Sequence, residues 1–408
     1  MLLKKATLKN NQFIQISGSK SISNRLLILD KLFGNIITRN LSNSQDTQLM
    51  QRALASDEET IDIHHAGTAM RFLTSYFSIQ EDKTTILTGS ERMKQRPIKF
   101  LVDALRNLGA EIRYLGEEGY PPLKIEGTKL NKSKVQIPAN ISSQFISSLL
   151  LIGGRLENGL EIELIGEITS RPYLEMTLKI LSDLNIKNQF TGNTIKILPF
   201  HKELYRSSIL NYEVESDWSS ASYFYSLVAI GRQTITLKSF ADLSLQGDSI
   251  LKEIYWECFG INTVSDPQAH SITLLPDHNF EKPDHIKINM NDCPDIAQTV
   301  CVTATALKIP FYITGLATLK VKETDRLVAL QNELKKIGCE TEITEDSIES
   351  IFFKDADSTI EIETYNDHRM AMSFAPYCLI QELTIKNPEV VEKSYTTFWT
   401  DFNNCLEY

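Results

Sequence analysis

The sequence predicts an α/β protein of two domains, each assembled from a repeated unit. Three observations predict it. The chain has 408 residues, more than one hydrophobic core usually organises. Polar patches that open helix-like segments recur six times along it. Strand-like and helix-like segments alternate between those patches.

The patches are GSKSISNRLL at 18–27, HAGTAMRFL at 65–73, ISSQFISSLL at 141–150, SDWSSASYF at 216–224, CPDIAQTVCVTA at 293–304 and NDHRMAMSFA at 366–375. Anchored on Ser21, Thr68, Ser143, Ser219, Asp295 and His368, they lie 47, 75, 76, 76 and 73 residues apart. Ser, Thr and Asp favour helix N-termini, so each patch reads as a helix start. Strands are expected at 85–89, 160–166, 194–199, 234–240, 285–290 and 359–364, where β-branched residues alternate with polar ones. Helices are expected at 98–110 and 326–339, which carry apolar residues at i, i+3 and i+4 and reach a glycine near their ends. Each unit of roughly 75 residues therefore holds several strands and two helices, giving about three units per domain. The first interval, 47 residues, is too short for a full unit.

Composition narrows the function. A net charge of −10 argues against non-specific nucleic-acid binding, so an anionic ligand needs a local basic pocket. No apolar run reaches membrane-spanning length, and the N-terminal stretch MLLKKATLKNNQ lacks a secretory h-region. The six cysteines are scattered without a CxxC pair, which suits reduced thiols in a cytoplasm. There is no GxGxxG and no P-loop motif. Ser17 to Lys20 fits SxxK, but no KTG or SDN follows, and His64-His65 has no third ligand at a metal-binding spacing. Neither a cofactor nor a metal is expected.

The cations carry the positive evidence. VKETDRL at 321–327 packs Lys322, Glu323, Asp325 and Arg326 together. Alone, such a cluster reads as a solvated helix entrance. Lys20, Arg25, Arg71 and Arg369, however, lie within the recurring patches, and Arg92, Lys94, Arg96 and Lys393 stand in two further basic segments. Helix N-termini add partial positive charge and free N–H donors. Arginine supplies a planar fork for carboxylate or phosphate and lysine a mobile point charge, so the pattern suits two anionic groups at once.

In order along the chain, GSKSISNR, HAGTAMR, RMKQRPI, ISSQF, SRPY, SDWSSASYF, PDIAQT, VKETDRL, NDHRMAM and EKSY resemble the motifs of the 3-phosphoshikimate 1-carboxyvinyltransferases, the EPSP synthases. The resemblance implies a two-domain inside-out α/β barrel of six βαβαββ repeats, three per domain, with the first repeat shortened. It places one domain at 1–17 plus 215–408 and the other at 18–214. It implies transfer of the enolpyruvyl group of phosphoenolpyruvate to the 5-hydroxyl of shikimate 3-phosphate, by a cytoplasmic monomer whose domains close over its substrates.

By matching motifs, Asp295 is the expected proton acceptor, Glu323 the proton donor, and Lys20 a lysine touching both substrates. Shikimate 3-phosphate falls to Lys20, Ser21, Arg25, Ser142, Ser143, Gln144, Ser170, Asp295, Thr318 and Lys322, with Tyr173 packed nearby. Phosphoenolpyruvate falls to Lys20, Gly67, Arg96, Gln144, Arg326, Arg369 and Lys393. Beyond the short first interval, two residues depart from the family pattern. Phe72 stands in place of proline and is expected to shift the helix carrying Gly67. Thr318 replaces an asparagine and can make only part of its hydrogen bonds. Two alternatives share the architecture: a UDP-N-acetylglucosamine enolpyruvyl transferase, which uses a mobile-loop cysteine, and a non-catalytic anion-binding relative.

Overall fold

The structure is a computed structural model that describes residues 1–200 and 209–408. The chain is an α/β protein of two compact units, one Ser19–Val214 and the other Met1–Gly18 with Glu215–Tyr408.

The unit Ser19–Val214 contains helices α1 (Lys20–Phe33), α2 (Gln45–Ala55), α3 (Gly67–Ser78), α4 (Glu91–Lys94), α5 (Lys99–Leu108), α6 (Ser143–Gly153) and α7 (Arg171–Asp183). Two of its sheets share one connectivity. In the first, Thr60–Asp62 leads through α3 to the parallel strand Thr84–Thr88, and α4 and α5 then lead to the antiparallel hairpin Glu111–Tyr114 and Leu123–Glu126. In the second, Lys134–Pro138 leads through α6 to the parallel strand Leu160–Ile165, and α7 leads to the hairpin Asn188–Thr191 and Thr194–Ile197. The third sheet has only Ile36–Arg39 paired parallel with Leu210–Glu213 among the described residues. After α2 the chain enters the next sheet at Thr60, so the hairpin that follows the second helix elsewhere is missing. That is the physical content of the short first interval.

The other unit contains α8 (Trp218–Gly231), α9 (Leu251–Phe259), α10 (Ala297–Ala306), α11 (Arg326–Lys336), α12 (His368–Phe374) and α13 (Phe398–Asn404). The connectivity recurs in the sheet Ile286–Asn289, Phe311–Thr314, Ile348–Phe353 and Cys339–Ile343. A further sheet joins Gln12–Gln15, from before the other unit, in parallel to Ile235–Lys238, from after it. No helix among the described residues is long and apolar enough to cross a membrane.

Every strand and helix expected above forms, with bounds shifted by a few residues. Gly109 ends α5 at φ +112, a conformation that favours a residue without Cβ. All six polar patches open helices. Ser19, Ser142, Asp217 and Asp367 accept N–H bonds as side-chain caps, whereas α3 and α10 begin with no side-chain cap bond.

Helices α3 and α6 are buried on all sides except at Tyr76 and Gln144, and α12 is wholly buried. Such helices need their few polar groups paired with one another. Ser222 donates to the carbonyl of Ser219, so the Thr299 hydroxyl, 3.0 Å away, donates to Ser222. Ser373, 3.1 Å from Thr299, must then donate to it. One directed chain of hydroxyls thus ties α12 to α10 to α8. Ser75 and Ser148 bridge α3 and α6 in the same way at 2.5 Å. Thr299→Val should lower the thermal midpoint, at a cost of about 1–3 kcal/mol for hydroxyls left without a partner. Differential scanning calorimetry measures it.

Candidate active site

Each unit concentrates buried charge at the ends of its helices, and the two arrangements differ in kind. In the unit Glu215–Tyr408, Asp325 caps α11 and places Arg326 at the first helical position. Arg326 is only 2% exposed. Its Nε donates to Asp367 Oδ2 at 2.6 Å, its Nη1 to Asp295 Oδ1 at 2.9 Å and its Nη2 to Glu323 Oε2 at 2.9 Å. One guanidinium therefore holds three carboxylates. Burial works against its charge, but Asp367, Glu323 and Asp295 outweigh burial and hold it protonated above the usual arginine value.

Three further cations complete the cluster. Lys322 Nζ lies 3.2 Å from Asp295 Oδ1 and Arg369 Nη2 lies 3.2 Å from Asp295 Oδ2. Lys393 Nζ donates to Glu323 Oε1. Burial alone would raise the Asp295 carboxyl, yet Arg369, Lys322 and Arg326 together hold it well below the usual range. Burial pulls Lys322 down from its ordinary value, against Asp295, which pulls it up. Asp295 is thus an ionised acceptor and Glu323 a carboxyl gripped from two sides. The cluster VKETDRL is not a solvated helix entrance: Arg326 and Leu327 lie in the interior, while Val321 and Val328 on either side are exposed.

In the unit Ser19–Val214 the buried cations meet neutral oxygens instead. Arg25, 2% exposed, donates to Thr177 Oγ1 at 2.7 Å, Ser147 Oγ at 3.0 Å and the carbonyls of Ser21 and Tyr173 at 2.9 and 3.3 Å. Burial pushes it down to about 10, with Tyr173 opposing. Arg96 is buried, and its Nε has no hydrogen-bond partner among the described residues. Gly67 lies directly beneath it: a Cβ there would stand 2.5 Å from Arg96 Nη1 and 3.1 Å from Arg71 Nη1. Arg71 in turn donates to the Gly67 carbonyl at 3.0 Å. Lys20 Nζ is 3.1 Å from the buried carboxylate of Asp46, which also faces His65 at 3.8 Å.

The expected hydroxyls stand at the starts of α6 and α7 and, for Thr318, in the other unit. Ser142 caps α6 by accepting the Gln144 N–H, and Gln144 Nε2 donates to Thr68 Oγ1 at 3.1 Å. Ser143 is buried at the start of α6. Ser170 precedes α7 in the left-handed region at φ +53. Phe72 does not interrupt α3, which runs unbroken from Gly67 to Ser78. Its ring instead lies 5.4 Å from the Arg25 guanidinium carbon and offers it a π face. Thr318 Oγ1 is buried with no partner among the described residues.

The profile of the family described as EPSP synthase (3-phosphoshikimate 1-carboxyvinyltransferase) matches residues 51–402. A 3-phosphoshikimate 1-carboxyvinyltransferase of Bacteroides fragilis (strain YCH46) is 43% identical over 403 residues, 96% of this chain and 94% of its own. The chain belongs to the EPSP synthase family. A further relative of that name, from Haemophilus influenzae, is 37% identical over 443 aligned residues, covering 97% of this chain and 96% of its own. Among solved structures, an EPSP synthase of Acinetobacter baumannii matches with a TM-score of 0.74 at 23% identity, over 99% of this chain and 98% of that one. The enolpyruvyl transferase NikO of Streptomyces tendae matches with a TM-score of 0.71 at 12% identity, over 100% and 97%. At those identities the two structures speak for the fold.

Within this EPSP synthase family member, Asp295, Lys322, Glu323, Arg326, Arg369 and Lys393 gather in one unit, and Gly67 and Arg96 meet in the other. Two residues of these arrangements escaped the sequence reading. Asp367 stands inside NDHRMAM, and its cap position before α12 was the available signal. Asp46 gave no signal as a site residue, because its pairing with Lys20 arises from side chains brought together by folding.

The depressed Asp295 carboxyl has a sign that can be tested. Its contribution to stability is fully present above the unfolded carboxylate value and is lost as pH falls through the folded one. Asp295→Asn should therefore lower the thermal midpoint by a similar amount from pH 8 to pH 5. The gap should shrink only below about pH 4. Thermal melts across that range check it.

Proposed function

We propose that this chain transfers the enolpyruvyl group of phosphoenolpyruvate to the 5-hydroxyl of shikimate 3-phosphate, releasing phosphate and forming 5-enolpyruvylshikimate 3-phosphate. The observation that carries the reading is the pair Asp295 and Glu323, held by the one buried guanidinium of Arg326 among further cations. The chemistry needs such a pair. The C3 methylene of phosphoenolpyruvate gains a proton, C2 becomes electrophilic, and the 5-oxygen attacks C2 as its own proton leaves. C3 then returns its proton as the C2–O bond to phosphate breaks. Asp295, kept ionised, takes the hydroxyl proton, and Glu323 gives and receives the C3 proton. A carboxyl that donates must first be released from cations that hold it ionised. The anionic groups of phosphoenolpyruvate compete with Glu323 for Lys393 and Arg326 and so release it.

Binding follows the charges. Arg96, Arg326, Arg369 and Lys393 receive the phosphate and carboxylate of phosphoenolpyruvate, and Gly67 lets the ligand approach Arg96 closely. Ser21 and Arg25 receive the phosphate end of the other substrate, with Ser142, Ser143, Gln144 and Ser170 completing that side and Lys322 contacting its 3-phosphate. Lys20 and Gln144 reach both ligands, and the hydroxyl of Thr318 contributes one bond. The reading as a sister transferase with a cysteine on a mobile loop is disfavoured, because all six cysteines are buried. We extend the reading to a cytoplasmic monomer. The shared sheet connectivity supports a βαβαββ repeat used six times in an inside-out barrel, its first copy shortened.

A phosphate-release assay with both substrates tests the activity. Asp295→Ala and Glu323→Ala should each lower kcat about 10²–10⁴-fold in folded protein. Near-normal turnover of either would refute its role. Gly67→Ala should displace the Arg96 guanidinium, raising KM for phosphoenolpyruvate about tenfold while shifting the thermal midpoint by only roughly 2 °C.

A further inference from the structure

One buried carboxylate of the cluster has no part in the chemistry above. Asp248 sits in the helical turn Gly247–Ile250 that leads into α9, and it is 2% exposed. The Ser219 hydroxyl donates to its Oδ2. Arg369 Nη2 donates to the same hydroxyl oxygen at 3.3 Å and lies 3.2 Å from Asp295 Oδ2. A hydroxyl has one proton. With that proton committed to Asp248, Ser219 turns only lone pairs toward Arg369.

We propose that Asp248 is a positioning residue for Arg369, acting through Ser219: it fixes the direction of the hydroxyl, and the hydroxyl fixes the guanidinium. The inference rests on the assignment of Arg369 to phosphoenolpyruvate. The main chain reinforces it, since the Ser219 carbonyl accepts from Ser222 at 2.6 Å at the end of the hydroxyl chain from α12 and α10. Both the backbone and the side chain of Ser219 are thereby held. The charged and titratable groups that face Asp248 are Asp295, Arg369, Asp217 and Cys293. Burial, followed by Asp295, raises its carboxyl to about 6 against the lowering effect of Arg369 and Ser219. Below that pH Asp248 takes up a proton and can meet Ser219 as donor or acceptor, so the hydroxyl is no longer directed, and Arg369 keeps Asp295 but loses the fixed lone pair of Ser219.

The sign of one substitution separates positioning from plain electrostatics. A negative charge near an anion site opposes binding, so its simple removal would tighten phosphoenolpyruvate. Loss of orientation loosens it. In phosphate-release assays at pH 7.5 on the full chain, Asp248→Ala and Ser219→Ala should each raise KM for phosphoenolpyruvate about tenfold, leaving KM for shikimate 3-phosphate within about twofold. The double variant should be no worse than either single one. Asp248→Asn, neutral and able to face Ser219 with either its amide oxygen or its NH2, should raise KM toward the alanine value, as protonation does. The ratio of KM between Ser219→Ala and the unaltered chain should fall toward one below about pH 6, a ratio from which the titration of phosphoenolpyruvate itself cancels.

An unchanged or lower KM in Asp248→Ala, additive losses in the double variant, or a pH-independent ratio would overturn the proposal. If Asp248→Ala melts before assay, Asp248→Asn, Ser219→Ala and the pH ratio decide. Absence of phosphate release by the unaltered chain would instead overturn the functional reading, and this one with it.

Discussion

The guanidinium of Arg326 is the constraint on which the unit Glu215–Tyr408 depends. Its donors reach Asp295 at the start of α10, Glu323 just before α11 and Asp367 at the start of α12. Three segments far apart in sequence are thus pinned to one planar group whose geometry is rigid. Asp367 also caps α12 by accepting the Arg369 N–H at 2.9 Å, so the atom group that anchors Arg326 also orients the helix bearing Arg369. Three buried carboxylates around one cation would be costly if Lys322, Arg369 and Lys393 did not stand beside them. The cluster is close to charge balance, which offsets the cost of gathering its acids in one place.

The unit Ser19–Val214 is built on the opposite principle. Arg25 is deeply buried among hydroxyls and carbonyls, and no carboxylate pairs with it among the described residues. Neutral acceptors satisfy its hydrogen bonds but leave its charge uncompensated. Phe72 adds a π face where a proline stands in the family pattern, and it supports that cation without neutralising it. Positive charge held this way in the interior is poised for an incoming anion. One unit thus holds its acids in a network of ion pairs, and the other holds the charge of Arg25 among neutral acceptors.

How much of this the sequence discloses depends on whether a feature is local. Helix starts follow from short polar patches, and strands such as Leu160–Ile165 follow from alternation, because both are written in consecutive residues. Lys20, Arg96, Asp295, Glu323 and Arg369 are legible because they belong to motifs in a fixed order. Asp46 and Asp248 are not, since a carboxylate in an ordinary polar stretch gains meaning only from the lysine or hydroxyl that folding brings to it. Phe72 is half legible: the departure from the motif shows in the sequence, but its contact with the Arg25 guanidinium arises only on folding.

The two-stranded sheet of Ile36–Arg39 and Leu210–Glu213 has a bearing beyond this chain. Among the described residues it lacks the hairpin found in the unit's two other sheets, and α1 keeps Ser19 as its cap and Arg25 in its hydrogen bonds without it. That hairpin is therefore not needed to hold Arg25 or the start of α1. Natural length variation, and any attempt to trim, split or graft this scaffold, has its most permissive site at the four-residue passage between Ala55 and Thr60.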